Sequence, residues 1–379
     1  MQNLRQLIDI GYNTAMQSKP QLDSLKRHMN EVVNLDLVPD TTLRSVREVM
    51  PDVDGKREYN APINTTNQVS LGLRLDSEDA AMALLSISAK RLQLAGLRCN
   101  VTAQASIHPW ISARLSYAKE NFFQTNLAVR YGYAHVVSPY ERRHNAAYYH
   151  FWGSDLYLSH LVSSDFDLRA GIRYDNFWPH GFTDYTSRQS YTALYALWKN
   201  DLYDTGYFPT QGYSYGIEVS YNIKDKGLRG TNFWALQGEC STVLPLGSNT
   251  ALLASLYVRN LFGEGVPSVY ANAIGGRLPH RYLRQQFPFF GFTGCKFVNP
   301  HLVLPGIGFR HRLFSDVYAM GFVNYAYSAE TLSVSRGQGI WGIGLQMSYN
   351  TTIGPLSLCT HWNDLYHRFG AYFSFGFDF

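Results

Sequence analysis

From Asn67 to the C-terminus the chain keeps a period of two, and its last twelve residues, Arg368 to Phe379, keep it most plainly. Phe373, Phe375, Phe377 and Phe379 alternate there with Tyr372, Ser374, Gly376 and Asp378. Successive side chains of a strand point to opposite faces, so four phenyl rings line one side and small or polar groups the other. A sheet in water rarely leaves such a row of rings at a terminus. A strand whose outer face meets hydrocarbon is built that way.

Composition carries the same message. Charged residues make up 16% of the 379, against about 25% in soluble domains, and aromatics 15%. No stretch approaches the ~18 apolar residues of a spanning helix, and Ala80 to Ile87 is about the longest apolar run. Low charge, 31 glycines and many rings therefore indicate an all-β membrane protein, in which alternation dilutes the apolar signal. The net charge of +4 gathers in no patch, which argues against a nucleic-acid partner. Cys99, Cys240, Cys295 and Cys359 lie far apart without metal or redox spacing, so isolated thiols are expected, with no metal and no cofactor. The start, Met-Gln-Asn-Leu-Arg-Gln, lacks the charged and apolar regions of an export signal, which implies a longer protein or a misassigned start.

Residues 1–66 form a different segment. Leu4, Leu7, Ile8 and Met16 share one helical face, and Leu22, Leu25, Met29 and Val32 another. Asp40 can cap a third short helix, which Pro51 ends. A piece this small has no core of its own, so it is expected to be the remnant of an upstream domain, with a periplasmic plug or arm as the competing possibility. Residues 67–379 divide into strands near 67–75, 80–91, 97–106, 109–118, 125–136, 148–162, 166–174, 190–200, 211–222, 231–242, 250–263, 299–313, 317–328, 339–350, 355–363 and 368–379. That is about sixteen, the even number expected of an antiparallel transmembrane β-barrel, with rings toward lipid and polar groups toward a wet lumen. The longest links, 137–147, 175–189 and 264–298, follow odd-numbered strands and belong outside the cell; the link 201–210 is long for a periplasmic turn.

Several motifs carry a family resemblance. Arg368, Gly370, Phe373 and Phe375, with Phe379 last, resemble the closing-strand signal of bacterial outer-membrane barrels, which addresses a chain to the barrel-assembly machinery. Asp204 followed by Phe208-Pro209-Thr210-Gln211-Gly212 resembles the turn motif of the bacterial surface antigen superfamily, sixteen-stranded barrels that include outer-membrane assembly factors and two-partner secretion transporters. In that family the longest loop folds into the lumen with a Gly-Gly and then an Arg-Gly-aromatic tip. Here Gly275-Gly276 precede Arg281-Tyr282-Leu283, with Tyr282 in place of the glycine. The family's acid that receives the arginine corresponds to Asn324. These departures, with the segment Arg281 to Gly291, resemble the barrels fused behind patatin-like phospholipases, and Leu7 to Ala15 is similar to the closing helix of a patatin domain.

The resemblance implies an outer-membrane anchor or translocator for an upstream Ser–Asp lipid acyl hydrolase, with an assembly or polypeptide-transport factor as the alternative. It also implies a lock in which Arg281 holds the long loop against Asn324 and neighbours such as Glu218, with no catalytic residue in this chain. Partners expected are outer-membrane lipids, lipopolysaccharide near Arg142, Arg143 and His144, and a covalently linked patatin domain. Gly212-Tyr213-Ser214-Tyr215-Gly216 matches a nucleophile-elbow pattern, but it opens a Tyr-alternating strand and lacks the strand–turn–helix context that exposes such a serine. His135, His144, His150, His160 and His180 have no ligand spacing and suit surface or lumen hydrogen bonding.

Overall fold

A computed structural model of the chain describes residues 67–89, 97–118, 123–136, 147–163, 166–180, 188–225, 231–281, 283–332 and 337–377. The helices expected within 1–66, and Arg142, Arg143, His144, Tyr282 and Phe379, lie outside these residues. The first eleven strands are β1 (Asn67–Asp76), β2 (Ala80–Ala89), β3 (Leu97–Ala105), β4 (Trp110–Tyr117), β5 (Phe123–Val136), β6 (Ala147–Ser163), β7 (Phe166–His180), β8 (Gln189–Asp201), β9 (Gly212–Lys224), β10 (Phe233–Pro245) and β11 (Thr250–Phe262). Three short strands follow inside the long loop: β12 (Asn272–Ile274), β13 (Gln286–Phe287) and β14 (Lys296–Val298). The last five are β15 (His301–Phe314), β16 (Val317–Ala329), β17 (Gly337–Thr351), β18 (Gly354–Asn363) and β19 (Arg368–Gly376).

Sixteen of these close into one antiparallel barrel, with β1 beside β19 and β11 beside β15. Full closure pairs every strand, the arrangement a sheet needs where no water reaches its edges. The alternation sets which face points out. On β1, Val69, Leu71, Leu73 and Leu75 are exposed, while Arg74 and Asp76 are buried. On β17, Trp341, Ile343, Leu345, Met347 and Tyr349 are exposed, while Gln346 and Ser348 are buried and hydrogen-bond each other at 2.8 Å.

Leu345 is 65% exposed at the middle of β17. Replacing it with Arg is expected to destabilise the barrel in lipid by about 2–4 kcal/mol, because the guanidinium then sits near the bilayer midplane. Unfolding of Leu345→Arg in vesicles measures this; a change near zero means that water, not hydrocarbon, covers that face.

Three features depart from the sequence reading. β7 continues to His180 rather than ending near 174, because Asn176 still pairs with Trp152 and Ser190. The lumen is not wet throughout. Leu302, Leu304, Ala326 and Ile340 point inward and pack on Ile274, Phe287, Phe289 and Phe292 of the long loop. The inner half is polar, with contacts such as Ser116 to Asn126 at 2.7 Å and Ser348 to Ser357 at 2.9 Å. Finally, the closing rings do not all face lipid. Phe373 is exposed, but Gly376 takes φ +110°, and Phe377 beyond it turns to the ring of Tyr207, 6.1 Å away.

The seam between β1 and β19 is short. Among the described residues three pairs join the two strands, Arg74 with Gly376, Leu75 with Phe375 and Asp76 with Ser374. β1 makes ten pairs with β2 on its other side, and β19 makes eight with β18. The β1–β2 hairpin tip, Ser77 to Asp79, therefore lies part-way up β19, where the Ser77 N–H donates to the Phe373 carbonyl at 2.9 Å.

Candidate functional site

The long loop enters the barrel and folds on itself. β12 pairs in parallel with β13 and antiparallel with β14, making a three-stranded sheet inside the lumen. Gly275 and Gly276 end β12 with φ +143° and +68°, conformations that favour glycine. A Cβ on Gly275 would lie 2.2 Å from the Gly294 carbonyl oxygen, so the two limbs of the loop touch only because that position is bare.

Beyond these glycines the loop presents Arg281. Its Nε and Nη2 donate to Asp79 Oδ2 at 2.9 and 2.6 Å, and Nη2 also meets Asp76 Oδ2. Nη1 donates to the Tyr372 hydroxyl at 3.0 Å and lies 3.5 Å from Glu78 Oε2. The guanidinium side chain is 3% exposed and the three acids 5% or less. Such buried charges are tolerable only when mutually satisfied. The cluster meets that need: Asp76 Oδ1 accepts the N–H groups of Glu78 and Asp79 at 2.9 and 2.7 Å. Glu78 Oε1 accepts Gly294 N–H at 2.7 Å, and His108 Nδ1 sits 2.8 Å from Asp79 Oδ1. Arg74 completes it, with Nε 3.0 Å from Asp76 Oδ2 and Nη2 donating to Tyr372 at 2.5 Å.

One loop side chain thus touches both sides of the seam, Asp76 on β1 and Tyr372 on β19. The partners differ from the expected ones. Asn324 is buried on the β16 wall against Gly306, and its Oδ1 accepts no hydrogen bond among the described residues. Glu218 belongs to a separate cluster, where it accepts from Arg173 Nη1 at 3.1 Å and faces Arg284 of the loop rather than Arg281. The Arg173 guanidinium lies 4.1 Å from the Tyr195 ring, and the Tyr195 hydroxyl donates to Asp155 at 2.9 Å. Asn324 supplies no charge to attract the arginine, whereas the turn Asp76-Ser77-Glu78-Asp79 supplies three carboxylates. That acidic turn between two lipid-facing strands is the signal that motif reasoning passed over.

The remaining motif residues have local roles. In the turn 202–211, Asp204 accepts the Thr210 N–H at 2.9 and 3.1 Å and also meets its hydroxyl. Desolvation pushes this carboxyl up, but the Thr210 bonds and nearby backbone N–H groups outweigh it and hold it below the usual carboxylate range. The Pro209 carbonyl accepts from Arg310, and Gly212 takes φ +120° where a Cβ would fall 2.3 Å from the Leu202 carbonyl oxygen. Gly370 faces its β18 partner His361, whose ring lies 2.2 Å from where a Cβ would be. Ser214 sits within β9, paired with Asp201 and Ser241, and no elbow exposes it. His150, His160 and His180 lie against the rings of Tyr133, Phe123 and Tyr148.

Comparisons place this architecture among known proteins. A family model described as the OMP85 superfamily matches residues 117–379. The fold is similar to that of BamA from Haemophilus ducreyi lacking POTRA domains 1-3, with a TM-score of 0.67, 13% identity and coverage of 84% of this chain and 70% of that one. It is similar also to CdiB from Escherichia coli, with a TM-score of 0.57, 13% identity and coverage of 83% and 63%. For CdiB from Acinetobacter baumannii the TM-score is 0.54 at 12% identity, with coverage of 82% and 59%. The chain thus spans less than two thirds of either CdiB chain, and at these identities the likeness concerns the fold. No curated protein matches it in sequence.

Proposed function

The chain belongs to the OMP85 superfamily, and on that premise we propose that it is the membrane anchor and translocator of a polypeptide domain, specifically of a patatin-like phospholipase. It is a barrel of the outer membrane. The observation that carries the translocator reading is the clamp. Among the described residues the seam has three residue pairs, and the lumen loop spans it from inside through Arg281, Asp76 and Tyr372. A barrel built only as a static pore has no need of a seam held by a loop side chain. Release of that side chain leaves a narrow strip of pairing to part, and a transported segment gains a route.

The finer assignment rests on sequence. Gly275-Gly276, Arg281-Tyr282-Leu283 and the following Gln285-Gln286-Phe287-Pro288-Phe289 resemble the barrels behind patatin-like domains, and Leu7 to Ala15 resembles the end of such a domain. In this reading the acyl hydrolase chemistry belongs to the linked domain, and this chain supplies no catalytic group. The alternative is an assembly or polypeptide-transport factor acting on other chains, which the short seam suits equally. The coding DNA immediately upstream separates the two. The patatin reading expects an in-frame domain with G-x-S-x-G; transport-associated repeats in its place would overturn it in favour of the assembly factor.

A further inference from the structure

The turn 202–211 does not hang below the barrel rim. Its base is a hairpin continuation, with the Leu202 N–H donating to the Tyr213 carbonyl at 2.9 Å and the Asp204 N–H to the Gln211 carbonyl at 3.3 Å. From that base it runs inward. The Tyr203 hydroxyl donates to Ser241 on β10 at 2.6 Å. The Phe208 ring stacks on Tyr318, with centroids 4.4 Å apart and planes 10° apart. Arg310 of β15, itself buried, donates to the Pro209 carbonyl. Tyr207 reaches Phe377, just past the end of β19.

In the barrel order β8 and β9 stand opposite β1 and β19, and β15 and β16 lie several strands round from either. A segment anchored at β8–β9 that touches β10, β15, β16 and the residue after β19 therefore crosses the mouth. Sixteen strands enclose an opening wide enough for an aqueous channel unless something fills it. The lumen loop fills the outer half; the strap stands across the other end.

We propose that residues 202–211 form an inner gate, a strap closing the periplasmic mouth independently of the lumen loop. Among the described residues the strap makes no ladder pairing with the far wall. It is held there through side chains, by the Phe208–Tyr318 stack, the Tyr207–Phe377 contact and Arg310, which reaches the Pro209 carbonyl and faces Asp204 and Tyr203, so it can leave without parting any barrel strand. Phe208 takes φ +50° and Gly212 φ +120°, left-handed positions at the tip and base of the strap that give it a fixed bend and a pivot. The Asp204–Thr210 bonds keep the strap itself in shape while its tip docks or undocks.

The test uses the full chain in nanodiscs with Cys99, Cys240, Cys295 and Cys359 replaced by Ser and the lumen-facing Ser255 replaced by Cys. A charged, membrane-impermeant thiosulfonate then reports access to the lumen through the inner mouth. Phe208→Ala is expected to speed modification of the peptide holding position 255 several-fold, and a reversible cross-link between cysteines at positions 208 and 318 to slow modification of that same peptide until the link is cleaved and the cleaving agent removed. The same cross-linked sample before and after cleavage is its own folding control, and a heat-modifiable gel shift confirms that each variant is folded. Equal rates in the parent, Phe208→Ala and cross-linked proteins would overturn the gate, as would failure of the 208–318 link to form in folded protein.

Discussion

Arg281→Ala is expected to lower the stability of the folded barrel by about 3–5 kcal/mol, the usual cost of removing one partner from a buried ionic cluster. The loss comes from what stays behind. Asp76, Glu78 and Asp79 remain buried, with Arg74 still beside Asp76 and His108 beside Asp79, and the Tyr372 hydroxyl loses the guanidinium donor that Arg281 supplies beside that of Arg74. The temperature at which the protein loses its heat-modifiable gel shift measures the effect. Arg281→Lys is expected to recover only part of it, because an ammonium cannot reproduce a planar fork shared among three acids and a phenol. Asp79→Ala combined with Arg281→Ala should cost less than the sum of the two, since the residues share one network. Additive costs would mean that the contact stabilises nothing.

The second large effect is expected at Gly275. An alanine there takes on left-handed strain of about 1–3 kcal/mol. It also drives its Cβ to 2.2 Å from the Gly294 carbonyl, an overpacking that typically adds about 1–3 kcal/mol. Both limbs of the lumen loop cannot then stay in place, so limited proteolysis should cut between 264 and 298 in Gly275→Ala and not in the parent. Gly276→Ala is the internal control. It shares the positive φ, but its Cβ would meet nothing closer than 3.6 Å, so only the strain remains. Equal protease sensitivity in the two variants would contradict the close approach of β12 to Gly294.

Much of the barrel was legible in the sequence because hydrocarbon on one face imposes a rule that each strand obeys by itself. Trp341, Ile343, Leu345, Met347 and Tyr349 declare their outward face without reference to any neighbour. The long loop was legible too, since Gly275-Gly276 and Arg281 mark its fold and its tip. What Arg281 touches was not. Its partners lie 202 and 205 residues away in the chain and meet it only once the barrel has closed. The short β1–β2 hairpin, not the β16 wall, carries the charge that draws it. The apolar outer lumen left a trace that alternation obscured. Leu302, Val303 and Leu304 run apolar through consecutive positions, the pattern of a strand covered on both faces, by lipid outside and by the loop within. The strap showed itself only as a turn of unusual length, because its ring stack with Tyr318 depends on two segments far apart in sequence.

Hydrogen–deuterium exchange along the seam tests most directly whether the lumen loop holds the barrel closed. In folded Arg281→Ala, amides of Asn67–Asp76 and Arg368–Gly376 should exchange faster than in the parent, while β8 and β9 on the opposite wall exchange as before. Unchanged exchange at the seam, with the loop arginine gone, would contradict the clamp.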